Sequence, residues 1–264
     1  MRREIIVSSL SAIFLLSPCG SARQSATQTT PVLQGALNAL TGGAAVADVT
    51  LAGTARRIAG SDNETGTATL KALATGESRM DFSFPSGARS EVRASSSASA
   101  DPAGSWSAAD GVWHPIANHN LFADSSWFFP ALTIGRLASS ANYVLSYVGQ
   151  ETRNGQSVVH VTASQQFTGI PAAQAPLFQH LNQMDIFLDA ATLLPAALSF
   201  NTHPDNDAGL DIPIEIRFSD YRAVNGVQTP FHVQKYLNNG LVLDLQINTV
   251  NLNTGLSAAT FSAQ

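Results

Sequence analysis

The sequence predicts an α+β fold in which an antiparallel β-sheet is covered by a few helices. Three observations carry this. Short segments of alternating apolar and polar residues follow one another along most of the chain, and clusters of Gly, Asn, Asp and Ser close them. Three stretches with helical spacing interrupt the series. Alternation with period two puts the apolar side chains on one face, as an antiparallel sheet with one covered face requires. The strand–helix alternation of a parallel sheet is absent from the pattern.

The elements follow in order. Arg2 and Arg3 precede a mostly apolar run over residues 5–16, and Gly20, Ser21 and Ala22 are small residues suited to a cleavage site. Residues 1–22 therefore read as a secretory signal peptide. Residues 23–30, rich in Ser, Gln and Thr, read as a flexible linker, and residues 31–264 as a single domain. Pro31 opens a helix, Val32, Leu33, Ala36, Leu37 and Leu40 form its apolar stripe, and Gly42-Gly43 ends it. Strands are expected over residues 46–58, 65–72, 79–84 and 89–94, with tight turns between them. A Ser/Ala loop (95–104) follows, then two tryptophans flanking the Asp110-Gly111 turn.

One short helical turn is expected over residues 118–124. Trp127, Phe128, Ala131, Leu132 and Arg136 then have helical spacing, with Ser125 or Ser126 as N-cap. This aromatic block reads either as core or as one wall of an apolar groove. Strands at 143–152 and 157–165 join through Asn154-Gly155, a pair that tolerates the positive φ of a type I′ turn. A last helix, residues 175–182, turns Leu177, Phe178 and Leu181 inward. The closing meander alternates over residues 184–189, 212–218 and 241–247, with Asn225-Gly226 as a further hairpin turn.

Composition limits the function classes. The chain carries a net charge of −5, and loss of residues 1–22 makes it one unit more negative. Its only lysines are Lys71 and Lys235. Nucleic-acid binding, which rests on neutralising phosphates, is not expected. Past residue 22 no run is long and apolar enough to make an integral membrane protein. Cys19, the sole cysteine, lies in the leader. Cleavage after Ala22 leaves a chain without thiols; alternatively, residues 16–19 resemble a lipobox and Cys19 becomes a lipid anchor. Export to the periplasm is expected on either route.

Chemistry is harder to find. The six histidines, His114, His119, His160, His180, His203 and His232, contain no i, i+4 pair, so no metal site is expected. Residues 203–211 hold three aspartates, but Asp, Asn and Gly at such spacing suit turns as well as calcium. Asp185 and Asp189 share a strand face, and Asp189 leads into a turn. Nucleophile elbow, phosphate loop and dinucleotide fingerprint are all missing from the sequence. A non-enzyme that needs no cofactor is the expectation.

A resemblance adds to this reading. Asp110-Gly111-Val112-Trp113 resembles the D-G-x-x-W strand turn of the LolA-like superfamily. Residues 189–195 resemble its D-x-x-T-x-L-P hairpin, and residues 221–230 a Y-x-x-V-N-G-V-x-x-P hairpin. The resemblance implies a strongly curved, unclosed half-barrel under a few helices, binding an apolar ligand, lipid or lipoprotein acyl chain, in its concave face. Trp127, Phe128, Leu132, Phe82 and Phe178 are the expected lining, with the ligand between the sheet and helix 127–137. A monomeric carrier whose partner is a lipid or an acylated protein is implied. The alternative is an envelope interaction or sensor domain with a filled core.

Overall fold

The computed structural model describes residues 21–94 and 103–262. Among them, thirteen strands form one antiparallel sheet. Helix α1 (Ser21–Thr41) precedes β1 (Asp48–Ala59), β2 (Asp62–Leu73), β3 (Ser78–Phe84), β4 (Gly87–Arg93), β5 (Gly104–Ser107) and β6 (Trp113–Pro115). A 3₁₀ helix (Asn118–Phe122) and α2 (Pro130–Ser139) lead to β7 (Tyr143–Arg153) and β8 (Gln156–Gln165). Then come α3 (Ala175–Leu181), β9 (Met184–Asp189), β10 (Pro195–Thr202), β11 (Ile212–Val224), β12 (Val227–Leu237) and β13 (Gly240–Leu252).

Two meanders make the sheet. Strands β1 to β6 pair in sequence order, as do β7 to β13, and β1 pairs with β13 at the seam. The outer strands β6 and β7 do not pair with each other, so the half-barrel stays unclosed. The architecture is the curved α+β half-barrel expected. Asn-Gly turns work as read: φ is 52° and 79° at Asn154-Gly155, and 49° and 84° at Asn225-Gly226.

The seam is bent and latched. Register shifts between Ala52 and Gly53 where β1 meets β13. A Cβ at Gly53 would lie 2.0 Å from the Gln246 carbonyl oxygen, so only glycine permits this approach. At one end the buried Asp48 carboxylate accepts from Thr254 N (2.8 Å), Gly255 N (2.8 Å) and Thr254 Oγ1 (3.0 Å). Burial pushes the Asp48 pKa up, but these hydrogen bonds outweigh it and hold the group below its ordinary value.

Helices fill one end of the concave face. Leu33, Ala36 and Leu40 of α1 are fully buried, as are Phe128, Phe129 and Ile134 around α2. They join one cluster with Leu51, Leu70, Ile186, Leu198, Ile216 and Val233 of the strands. At about 1.5–3 kcal/mol for each large side chain taken from water, this cluster carries the fold without cross-links.

Two boundaries differ from expectation. Helix α1 begins at Ser21, so residues 23–30, expected as linker, are helical backbone. Ala, Gln, Ser and Thr are tolerated in a helix, although Pro31 inside it removes one hydrogen-bond donor and crowds the carbonyl one turn back, at a cost of about 3 kcal/mol. Helix α2 begins at Pro130, not at Trp127, because Pro130 suits the first helical position. Residues 1–20 of the expected signal peptide, Cys19 among them, and 95–102 of the Ser/Ala loop lie outside the described residues.

Candidate functional site

The other end of the concave face is open. A cavity of about 800 Å³ lies where the β1–β2 and β12–β13 hairpins and the β10–β11 loop gather. Met80, Phe82 and Phe84 of β3 form one apolar wall; Phe200, Ile214 and Leu243 face them, with Trp127 over the top. Trp106 and Leu237 are 40% and 37% exposed and mark the rim. The 3₁₀ helix closes a side. Asn120 pins it there, donating to the His203 carbonyl (2.8 Å) and accepting from His203 N (2.8 Å) and Thr202 Oγ1 (3.0 Å).

The five expected lining residues separate. Trp127 and Phe82 are on the cavity wall. Phe128, just before α2, and Leu132 within it are buried in the core cluster and are not on the cavity wall. Phe178 lies elsewhere, beside a pocket of about 290 Å³, in an edge-to-face trio with Phe122 (5.0 Å) and Phe167 (5.8 Å). The open space is bounded by strands of the sheet, the 3₁₀ helix and Trp127, and its lining includes no residue of α2.

Sequence reading missed the charge on the inner face. Arg89, Glu91 and Arg93 pair across with Phe82, Met80 and Ser78, so all three point inward. Arg57 and Lys235 pair with opposite sides of Leu243 and point inward too. Arg57 is bonded to Glu64 (3.1 Å) and Arg93 to Glu91 (3.1 Å). Lys235 has no hydrogen bond or ion pair among the described residues; its ammonium sits 4.8 Å from the Trp127 ring centroid. Burial lowers its pKa and Arg93 adds to the lowering, while Glu91 opposes both. The signal was present in the alternation itself: Val233, Lys235 and Leu237 share one face of β12.

The segment before α2 is held by a buried ion pair. Arg136 and Asp124 are in direct contact, with 12% and 5% of their side chains exposed. Asp124 also accepts from Ser126 N (2.8 Å) and Ser126 Oγ (3.0 Å). Burial acts to raise its pKa, yet Arg136 with the Thr133 and Ser126 hydrogen bonds keeps it lowered. Ser126, expected as an N-cap, serves this network instead; the helix starts later, at Pro130, with Phe129 at the N-cap and no side-chain cap.

The fold also assembles a histidine cluster that no local spacing announced. His180 of α3, with His203 and Asp211 of the β10–β11 loop, places two ring nitrogens and a carboxylate oxygen within 4.8 Å of one another. Two imidazoles and a carboxylate form a donor set that zinc accepts. Here they bond to each other instead: Asp211 Oδ1 lies 2.9 Å from His180 Nε2 and 3.1 Å from His203 Nε2. His203 Nδ1 is buried without a partner, whereas a metal-bound histidine ordinarily donates its second N–H. Burial lowers the His203 pKa, which favours a neutral ring tying α3 to the loop. Asp207 and Asp189 have turn roles, accepting from Gly209 N (2.9 Å) and Thr192 N (2.7 Å), whereas Asp185 Oδ1 lies 2.9 Å from His160 Nε2.

No protein-family model and no curated protein sequence matches this chain. Solved structures do. A domain assigned to outer membrane lipoprotein sorting, from Vibrio parahaemolyticus, superposes with a TM-score of 0.57 at 12% identity, over 89% of this chain and 97% of that one. A DUF1329 family protein from Desulfovibrio piger gives 0.55 at 14% identity, over 88% and 95%. A LolA superfamily protein from Nitrosomonas europaea gives 0.53 at 10% identity, over 89% and 97%. The chain has the fold of the LolA superfamily.

Proposed function

We propose that this chain is an exported envelope protein that binds an apolar ligand, a lipid or a lipoprotein acyl chain, in the half-barrel cavity and carries it without catalysis. The observation that carries the reading is the cavity itself. Its volume lies inside the range of about 300–1,000 Å³ typical of small-molecule sites. Its walls are aromatic and aliphatic, and Trp106 and Leu237 stand exposed at the mouth, where an entering chain first meets apolar surface. The leader-like residues 1–22 support export, and the fold's likeness to a lipoprotein-sorting domain supports an acyl cargo.

The test is uptake of an environment-sensitive fluorescent fatty acid by the purified protein. Saturable binding of one probe per chain, with a blue-shifted emission, is expected. Emission that rises linearly without saturating, for this and other apolar probes, refutes the reading.

A further inference from the structure

We propose that the cavity ligand is an amphiphile with an anionic head group, a carboxylate or phosphate ester, and that Lys235 beside Arg93 is the head-group subsite. The inference rests on the apolar-ligand reading and narrows it.

The charge census points this way. The whole chain is acidic, at −5, yet the cavity wall holds Arg57, Arg89, Arg93 and Lys235 against Glu91 alone. Two of those cations are already answered: Arg57 by Glu64, and Arg93 by Glu91 with a bond to the Asn120 carbonyl (3.0 Å). Among the described residues Arg89 bonds only to a serine, Ser86 Oγ at 3.1 Å, and its Nε is buried without a partner. Among the described residues Lys235 makes no hydrogen bond or ion pair; it lies against the Trp127 ring and feels the Glu91 charge, which Arg93 already engages. A lysine on an inward strand position, flanked along β12 by Val233 and Leu237, is costly unless something pairs with it.

The surroundings specify what that partner is. Apolar side chains on both sides call for an apolar body, and the cation at its end calls for one negative charge. A free fatty acid or a single-chain phospholipid has both. An ester- or amide-linked acyl chain has no charge at the junction, so this subsite favours the free amphiphile over a protein-borne chain. The Trp127 face beside Lys235 would hold the ammonium in place while the head group bonds to it.

The experiment titrates three probes of equal chain length: hexadecanoate, methyl hexadecanoate and a palmitoyl lysophosphatidate. Tryptophan fluorescence, from Trp106 and Trp127 on the cavity wall, reports binding, and calorimetry checks it. Hexadecanoate or the lysophosphatidate is expected to bind about tenfold or more tighter than the ester, as a charged hydrogen bond predicts. Whichever anion binds tighter identifies the head-group chemistry. Lys235→Met, which keeps the apolar stem, is expected to erase the preference, and Lys235→Arg to retain it. Equal binding of acid and ester by the unmodified protein overturns this inference and leaves the cavity reading standing. A preference that survives Lys235→Met also overturns it. Binding of none of the three overturns the cavity reading itself.

Discussion

Asp124→Asn lowers the stability of this protein by about 3–5 kcal/mol, because it leaves the Arg136 guanidinium buried without a counter-charge. For a domain of this length that is a fall of roughly 10 °C in melting temperature. Arg136→Met is expected to cost a similar amount, by leaving a buried carboxylate. The double variant Asp124→Leu/Arg136→Met is expected to lose less than either single change, since no orphan charge remains. Thermal and urea unfolding of the three variants measure this. If the double variant loses the sum of the two single losses, the pair is not coupled as its geometry requires.

The same carboxylate gives a pH dependence. The folded pKa values of Asp124 and Asp48 lie below the ordinary aspartate range. Their contribution is therefore complete above the unfolded-state value and is lost as pH falls through the folded one. Stability should decline on acidification below about pH 4, and Asp124→Asn should flatten that decline. His203 works in the same direction at higher pH. Its pKa is lowered in the fold, so protonating it as pH falls below the ordinary histidine value disfavours the folded state.

Gly53→Ala is expected to be nearly as damaging. The added methyl would sit 2.0 Å from the Gln246 carbonyl oxygen and 2.9 Å from Ile247 Cα, both backbone. Neither can rotate away, so β1 and β13 must separate at the bulge that bends the seam. Overpacking of this kind costs about 3 kcal/mol. The seam joins the two meanders, so the loss should appear as a lower denaturant midpoint for the whole domain. Gly135→Ala is the control. Its nearest neighbour would be Leu37 Cδ1 at 3.9 Å, and replacing a helical glycine should stabilise by about 0.5–1 kcal/mol. A Gly53→Ala variant as stable as the parent would mean the close approach is not what shapes the seam.

Much of the fold could be read from the turns. Asn154-Gly155 and Asn225-Gly226 announce their hairpins because positive φ at two successive residues demands those side chains. The 189–195 hairpin is legible for a similar reason: Asp189 accepts from Thr192 and Ala191 at the turn. What local pattern cannot carry is pairing across the chain. The β1–β13 seam joins Val49 to Leu252, and nothing near either residue names the other. The hairpin at Asn238-Asn239 was also quieter, since it takes φ of 48° and 64° without glycine.

The site was less legible than the fold. Trp127 and Phe82 stand at the cavity because aromatic residues are expected on an inner face. Phe128 and Leu132 have the same chemistry, yet pack into the core; hydrophobicity alone does not distinguish a wall from a filling. Lys235 and Arg89 went unread because a charge inside an alternating strand looks like its solvent face until register fixes which face is which. His180, His203 and Asp211 come from a helix and a loop, and only the fold places them together.

The proposed function requires the 800 Å³ space to be a ligand site and not an unfilled part of the core. Native mass spectrometry of the protein isolated gently from cell envelopes tests it most directly, beside a Leu243→Trp variant that fills the cavity from its inner wall. An adduct of one amphiphile per chain is expected in the parent protein, releasable by organic solvent, with its loss in Leu243→Trp at unchanged melting temperature. A parent protein that remains free of any adduct after exposure to envelope lipids, or an adduct equally abundant in Leu243→Trp, would contradict it.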